Sequence, residues 1–172
     1  MTETVSLAAV NAMTGAEFAD TFGDIAEHSP WVAERAAARR PFADRGAMIA
    51  AFQDAIGEAG ADAQRALLDA HPDLAGRAAI AGDLTADSRR EQAGAGLDRL
   101  TEEEFARFSA LNASYRERFG IPFIFAVRGA DKHRILAAFA ERIDNAADVE
   151  FATALGQVCR IVAFRLEDRV IG

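Results

Sequence analysis

Residues 71–92, with the sequence HPDLAGRAAIAGDLTADSRREQ, interrupt an otherwise helical pattern. His71 precedes a proline, and a residue in that position is pushed out of the helical region, so the preceding helix ends there. The residues that follow are rich in alanine and glycine, and at most one helical turn is expected near 77–81. Ser88 and Glu91 then have the Ser-x-x-Glu spacing of a capping box, which predicts a new helix beginning at Ser88.

On both sides of this stretch, apolar residues recur at helical intervals, most extensively between Phe151 and Leu166. Gly60 and Gly120 are predicted to close the helices before them. Helix starts are predicted from capping residues, namely Thr14 with Glu17, Ser29 before Pro30, Asp44, Thr101 with Glu104, and Asp131. A last long helix is predicted to start at Asp148. The chain is therefore predicted to be an all-α, single-domain helical bundle over residues 1–172, with about eight to nine helices.

One short segment does not fit this helical pattern. Residues 121–127, IPFIFAV, are β-branched and aromatic and lie between Gly120 and Gly129, which is typical of a strand. Because one strand cannot form a sheet, we expect an extended segment buried between helices. Its backbone polar groups then need other hydrogen-bond partners, and a ligand is one candidate.

The composition limits the possible classes of function. With 172 residues, 51% hydrophobic and 27% charged, the chain fits one globular domain. The net charge of −8 argues against nucleic acid as a partner, and no apolar run is long enough to span a membrane. Cys159 is the single cysteine and cannot form an internal disulfide. With no secretory or peroxisomal signal recognised, we expect a cytoplasmic protein.

His71 is the strongest candidate for chemistry among the three histidines, because the proline and the small-residue loop could present its ring to a pocket. Imidazole changes protonation near neutral pH, although a purely structural role fits the sequence equally well. If Glu91 lies nearby, its carboxylate would orient the ring and form a general acid/base pair. Ser88 and Gln92 could offer a helix N-terminus and an amide to an anionic ligand, or Ser88 could merely cap the helix. No metal-binding spacing accompanies these residues.

Taken together, six stretches resemble the family of 2-oxo-4-hydroxy-4-carboxy-5-ureidoimidazoline (OHCU) decarboxylases. They occur in the family's order across almost the whole chain, which makes the resemblance highly specific. They are EHSPWVAE (27–34), RPF (40–42), HPDLAG (71–76), SRREQAGAGLD (88–98), LNASYRERFGIPFIFAVRG (111–129) and FRLEDRV (164–170).

This resemblance implies an all-helical, cofactor-free carboxy-lyase, commonly a homodimer, that forms (S)-allantoin and CO₂ from a ureide substrate. In urate degradation it would follow urate oxidase and hydroxyisourate hydrolase. His71 and Glu91 would be catalytic, and no metal would be bound. The implied substrate-binding residues are Pro72, Ser88, Gln92, Ile121, Pro122, Phe123, Ile124 and Phe125.

Arg165, in the stretch FRLED, is a further candidate for a contact with the ring or ureido group, although an ion pair with nearby acids is equally consistent. A tight arginine clamp on the departing carboxylate would stabilise the ground state more than the transition state and would slow the reaction. Two other functions stay open at this point. They are decarboxylation of a related ureido acid, and a non-catalytic helical binding or dimerisation module.

Overall fold

The computed structural model describes residues 3–172, and every side chain among them except that of Ala78. These residues are mainly helical, as predicted, and contain ten helices. The helices are α1 Leu7–Ala12, α2 Gly15–Phe22, α3 Trp31–Ala37, α4 Arg45–Gly57, α5 Ala61–Asp69, α6 Arg77–Ala81, α7 Ala86–Gly94, α8 Glu102–Phe119, α9 Lys132–Arg142 and α10 Ala147–Arg169. None of these ten helices combines the length and the apolar character that a membrane-spanning segment needs.

Two short strands, which the sequence did not predict, lie near the two ends of the chain. Strand β1, Val5–Ser6, pairs in parallel with β2, Val170–Ile171. By contrast, the segment 121–127 is neither strand nor helix, and most of it is buried, which agrees with the expected buried segment between helices.

The chain divides into two compact units, Met1–Ala70 with Val158–Gly172 as unit 1, and His71–Gln157 as unit 2.

Unit 1 is built around aromatic side chains from α2 and α4. The ring of Phe18 lies 4.9 Å from that of Phe22 and 6.0 Å from that of Phe52, measured between centroids, and all three are fully buried. The helical spacing of Phe18 and Phe22 places both on one face of α2, as the sequence pattern predicts. Buried aromatic rings remove large apolar areas from water, so these three contribute to the stability of the unit.

Unit 2 has a second aromatic core, which includes part of the non-helical segment. Phe123 stacks on Phe139 of α9 with the ring centroids 3.6 Å apart, and Tyr115 of α8 meets Phe123 edge to face at 5.2 Å. A carboxylate is buried beside these rings. Glu150 of α10 has no solvent exposure and forms an ion pair with Arg142 of α9. The core of unit 2 is therefore both aromatic and charged.

Most predicted helix starts are confirmed. Thr14 and Thr101 each form a complete capping box with the glutamate three residues later, and Asp44 and Asp131 each accept a backbone N–H at the start of their helices. Gly120 closes α8 in the left-handed conformation, as expected. These features depend only on residues within one turn of each other, so the sequence encodes them directly.

In unit 1, two local predictions at helix ends are wrong. Pro30, not Ser29, occupies the N-cap position of α3, and the Ser29 hydroxyl instead donates to the carbonyl of Glu27 at 2.8 Å. Gly60 does not close α4, which ends at Gly57. It is the extended residue before α5. In both cases the residue type is suited to more than one position around a helix end.

Removing the buried ion pair of unit 2 should destabilise the protein much more than removing an exposed ion pair of unit 1. Replacing Glu150 by alanine leaves Arg142 charged in the interior, so we expect the free energy of unfolding to fall by about 3–5 kcal/mol. Asp54 pairs with Arg39 at 2.7 Å on the surface, and Asp54→Ala should cost far less stability because solvent screens the two charges. Urea unfolding of the two variants measures both values. Similar losses would contradict the importance assigned to burial.

Candidate active site

The three histidines differ in their exposure. His71 follows α5, outside any helix, and is only 7% exposed, whereas His28 and His133 are exposed. The prediction that His71 lies at a helix end or in a loop is therefore confirmed. A buried imidazole on a non-helical segment can be held in one orientation, which proton transfer to a bound ligand requires.

The backbone that follows His71 is held by side chains from two helices of unit 2. Asn112 of α8 donates its Nδ2 to the carbonyl of Leu74 at 2.9 Å, and Oε1 of Gln92 in α7 accepts the N–H of Ala75 at 3.0 Å. Ala75 has a φ of +54°, a left-handed conformation that is uncommon for a residue other than glycine. The Leu74 carbonyl and the Ala75 N–H belong to one peptide group, and the two hydrogen bonds to that group help to keep the conformation of Ala75.

Helix α7 begins earlier than predicted. Its N-cap is Thr85, whose hydroxyl accepts the backbone N–H of Ser88 at 3.3 Å, so the prediction that Ser88 begins and caps this helix is wrong. Ser88 is the third residue of α7, and Glu91 lies within the helix. Ser88 and Gln92 are four residues apart, share one face of α7 and are both buried. Glu91 is half-buried.

Asp87 and Asn112 are two buried polar residues that the sequence motifs did not single out. Asp87 is 6% exposed and forms an ion pair with Arg90, one turn further along α7. Asn112 binds the loop carbonyl of Leu74. A sequence signal did exist for Asn112, since it is a polar residue at helical spacing from the apolar Phe105 and Phe108 and from Tyr115. Asp87 had no comparable signal, because acidic residues are common in the first turn of a helix.

The segment 121–127 is held by side chains from α9 and α10. Arg142 donates its Nη1 to the carbonyl of Ile124 at 2.6 Å, and Oε1 of Gln157 accepts the N–H of Ala126 at 3.0 Å. Among the hydrogen bonds within residues 3–172, none is donated by the amides of Phe123 or Phe125. These two amides are therefore not used to hold the segment in place within the described chain.

All predicted site residues other than Arg165 lie in unit 2, and Arg165 lies in unit 1. Arg165 is 3% exposed, and its Nη1 donates to Oε2 of Glu27 at 3.0 Å and to the carbonyl of Ile25 at 3.2 Å. Glu27 is also almost fully buried. The ion pair that the sequence left open is therefore present, and it fixes the guanidinium in one place.

Unit 2 contains a cavity of about 720 Å³ beside the loop. Among the described residues, Gln92 lines this cavity, whereas His71, Ser88 and Glu91 do not line it. Its walls are largely apolar and include Ala75, Leu84, Leu97, Leu100 and Phe105. No group of three or more His, Cys, Asp or Glu side chains suited to a metal ion occurs among the described residues.

Comparison with known proteins agrees with the motifs in the sequence. Residues 11–167 match the family model described as OHCU decarboxylase. The chain is 42% identical to a 2-oxo-4-hydroxy-4-carboxy-5-ureidoimidazoline decarboxylase of Haloferax volcanii, covering 96% of each chain. It is 43% identical to the mouse protein of that name, covering 92% of this chain and 89% of the mouse protein.

A solved structure gives the same assignment for the fold. The chain superposes on a crystal structure of (S)-allantoin synthase with a TM-score of 0.78 and 32% identity, covering 97% of this chain and 54% of the other. The family match extends over both compact units and includes the loop at His71, the start of α7 and the segment 121–127. The chain therefore belongs to the OHCU decarboxylase family.

Proposed function

We propose that this protein catalyses the decarboxylation of OHCU to (S)-allantoin without a cofactor, as a step of urate degradation. The observation that carries the proposal is the burial of His71. The backbone that follows it is held by hydrogen bonds from Asn112 and to Gln92. Membership of the family supports the reaction, and the geometry supports the place where it would occur.

The chemistry of the substrate makes few demands on the protein. When the bond between the ring carbon and the carboxylate breaks, CO₂ leaves, and the electron pair moves towards the neighbouring C=N of the ring. The substrate thus provides its own electron sink. The enol-like intermediate then needs one proton on carbon, and delivery to a single face gives one enantiomer of allantoin.

His71 is the proposed proton donor, and Glu91 the residue that orients its ring. Burial of His71 supports this assignment, because an immobilised imidazole can deliver a proton to one face only. Ser88 and Gln92, which share a face of α7, are proposed to contact the substrate together with Pro72. Oε1 of Gln92 accepts the N–H of Ala75, so Gln92 would also hold the loop while its Nε2 faces the ligand.

The second proposed wall is the segment Ile121 to Phe125. A planar ureide ring carries carbonyl and N–H groups that can pair with protein backbone. The buried, non-helical backbone of this segment supports such a contact, since the amides of Phe123 and Phe125 are not used in holding it. Arg165 is proposed as a further contact with the ring or ureido group. Its pairing with Glu27 would hold the guanidinium in position.

The first prediction concerns the stereochemistry of the product. With OHCU generated from urate by urate oxidase and hydroxyisourate hydrolase, the purified protein should accelerate the appearance of (S)-allantoin above the spontaneous rate. Circular dichroism follows the optical activity as it develops. Racemic allantoin forming at the spontaneous rate would contradict the proposed function, and rapid turnover of another ureido acid under the same conditions would redirect it to a related substrate.

The second prediction concerns the proposed acid/base pair. His71→Ala and Glu91→Ala should each lower kcat/KM by about 100-fold or more, since positioned proton transfer contributes at least that much to many enzymes. His133→Ala is the matched control, because His133 is exposed in the first turn of α9. Steady-state kinetics on folded variants, checked by far-ultraviolet circular dichroism, makes the comparison. Full activity in both site variants would place the chemistry elsewhere.

The third prediction concerns assembly. The homodimer implied by the resemblance is part of this proposal, and so is the cytoplasm as the compartment. Sedimentation equilibrium at micromolar concentration should give twice the mass of one chain. A concentration-independent mass of one chain would contradict the dimer and leave the proposed chemistry untouched.

A further inference from the structure

We propose that Arg142, held by Glu150, is a positioning residue that aims the backbone of segment 121–125 in the active site. The inference rests on the proposed function, because it assumes that this segment contacts the substrate. Arg142 itself would not touch the substrate. It would act through the peptide that joins Ile124 to Phe125.

The guanidinium of Arg142 contacts two neighbouring residues of the segment. Nη1 donates to the carbonyl of Ile124 at 2.6 Å, and Cζ lies 4.3 Å from the centroid of the Phe123 ring. On its other side, Nε donates to Oε1 of Glu150 at 2.6 Å. Arginine suits this position because its planar group offers several donors in fixed directions, so one side chain can bind a carboxylate and a carbonyl together.

Glu150 is in turn fixed by further donors. The Tyr115 hydroxyl donates to Oε1 at 2.5 Å, and Nδ2 of Asn145 donates to Oε2 at 2.9 Å. The pKa of the Tyr115 phenol is raised well above its usual range, mainly by burial and secondly by the hydrogen bond to Glu150. The phenol therefore stays protonated and can donate this hydrogen bond. Tyr115 of α8 thus binds the same carboxylate oxygen that holds Arg142, whereas Asn145, between α9 and α10, binds the other oxygen.

The bond to Ile124 has a directional consequence. The peptide between Ile124 and Phe125 is trans, since the single cis peptide found in the described residues is Arg40–Pro41. In a planar trans peptide, the carbonyl and the following N–H point in opposite directions. Fixing the carbonyl of Ile124 therefore fixes the direction of the Phe125 N–H, which none of the hydrogen bonds within the described chain uses.

Stability alone does not account for a buried charge at this place. A buried ion pair gains little over apolar residues of similar volume, because the cost of desolvating both charges offsets their attraction. Orientation of a backbone carbonyl is something that apolar residues cannot supply. The network thus combines little net stabilisation with a strong geometric constraint on the segment.

Arg142→Lys tests this inference, with Asn145→Ala as the matched control. Lysine keeps the charge but cannot reproduce the planar pair of contacts, whereas Asn145→Ala removes one bond to Glu150 and leaves the bond from Arg142 to Ile124. At a temperature where both are folded, R142K should lower kcat for OHCU by about tenfold or more, since small misplacements in a site have effects of this size or larger. N145A should stay within about twofold of the wild type.

Hydrogen–deuterium exchange gives a readout that does not depend on activity. Uptake in the peptide covering 121–127 should rise in R142K and stay unchanged in N145A. If R142K does not fold, the triple variant Y115F/R142M/E150L replaces Tyr115, Arg142 and Glu150 together, so that no buried charge is left unpaired. It should fold, lose kcat to a similar extent and show the same increase in exchange.

Three outcomes would overturn the inference. They are a folded R142K or triple variant with the wild-type kcat, an equal loss of kcat in N145A, and unchanged exchange over 121–127 in the Arg142 variants. An inactive wild-type protein would instead contradict the proposed function. Exchange over 121–127 would still report whether Arg142 fixes the segment in that case.

Discussion

Buried non-helical backbone must find hydrogen-bond partners outside itself, and unit 2 depends on how this requirement is met. The carbonyls of Leu74 and Ile124 accept from Asn112 and Arg142. The amides of Ala75 and Ala126 donate to Gln92 and Gln157. In each segment, one side chain binds a carbonyl and another binds the amide one or two residues later. Side chains of the helices therefore bind and fix two stretches of irregular backbone.

This arrangement explains why polar residues occur where the helices would otherwise be apolar. Asn112 and Tyr115 lie on the buried face of α8, and each binds a group that would be costly to bury alone. The same helix thereby supports the loop after His71 and, through Glu150 and Arg142, the segment 121–125. A site made from such segments is more rigid than one on free surface loops, because each holding side chain is itself fixed within a helix.

The predicted and observed features of α7 differ for an identifiable reason. Thr85 and Ser88 are both good capping residues three positions apart, and only Ser88 has a glutamate at the spacing of a capping box. The sequence pattern therefore favoured Ser88. In the folded chain the helix begins one turn earlier, and Ser88 is buried on the same face as Gln92. Local spacing identifies possible caps, but the environment of each residue selects one of them.

The sequence by itself determined the helical class, most of the predicted helix starts, the break at Pro72 and the family motifs, because these depend on neighbours within a turn or on exact residue order. The tertiary structure decided which distant side chains meet. Arg142 lies 18 residues from Ile124, Asn112 lies 38 residues from Leu74, and Arg165 lies 138 residues from Glu27. Such pairs form only when the folded chain packs both partners away from water. Because the partners are far apart in the sequence, no local spacing of residues predicts which ones pair.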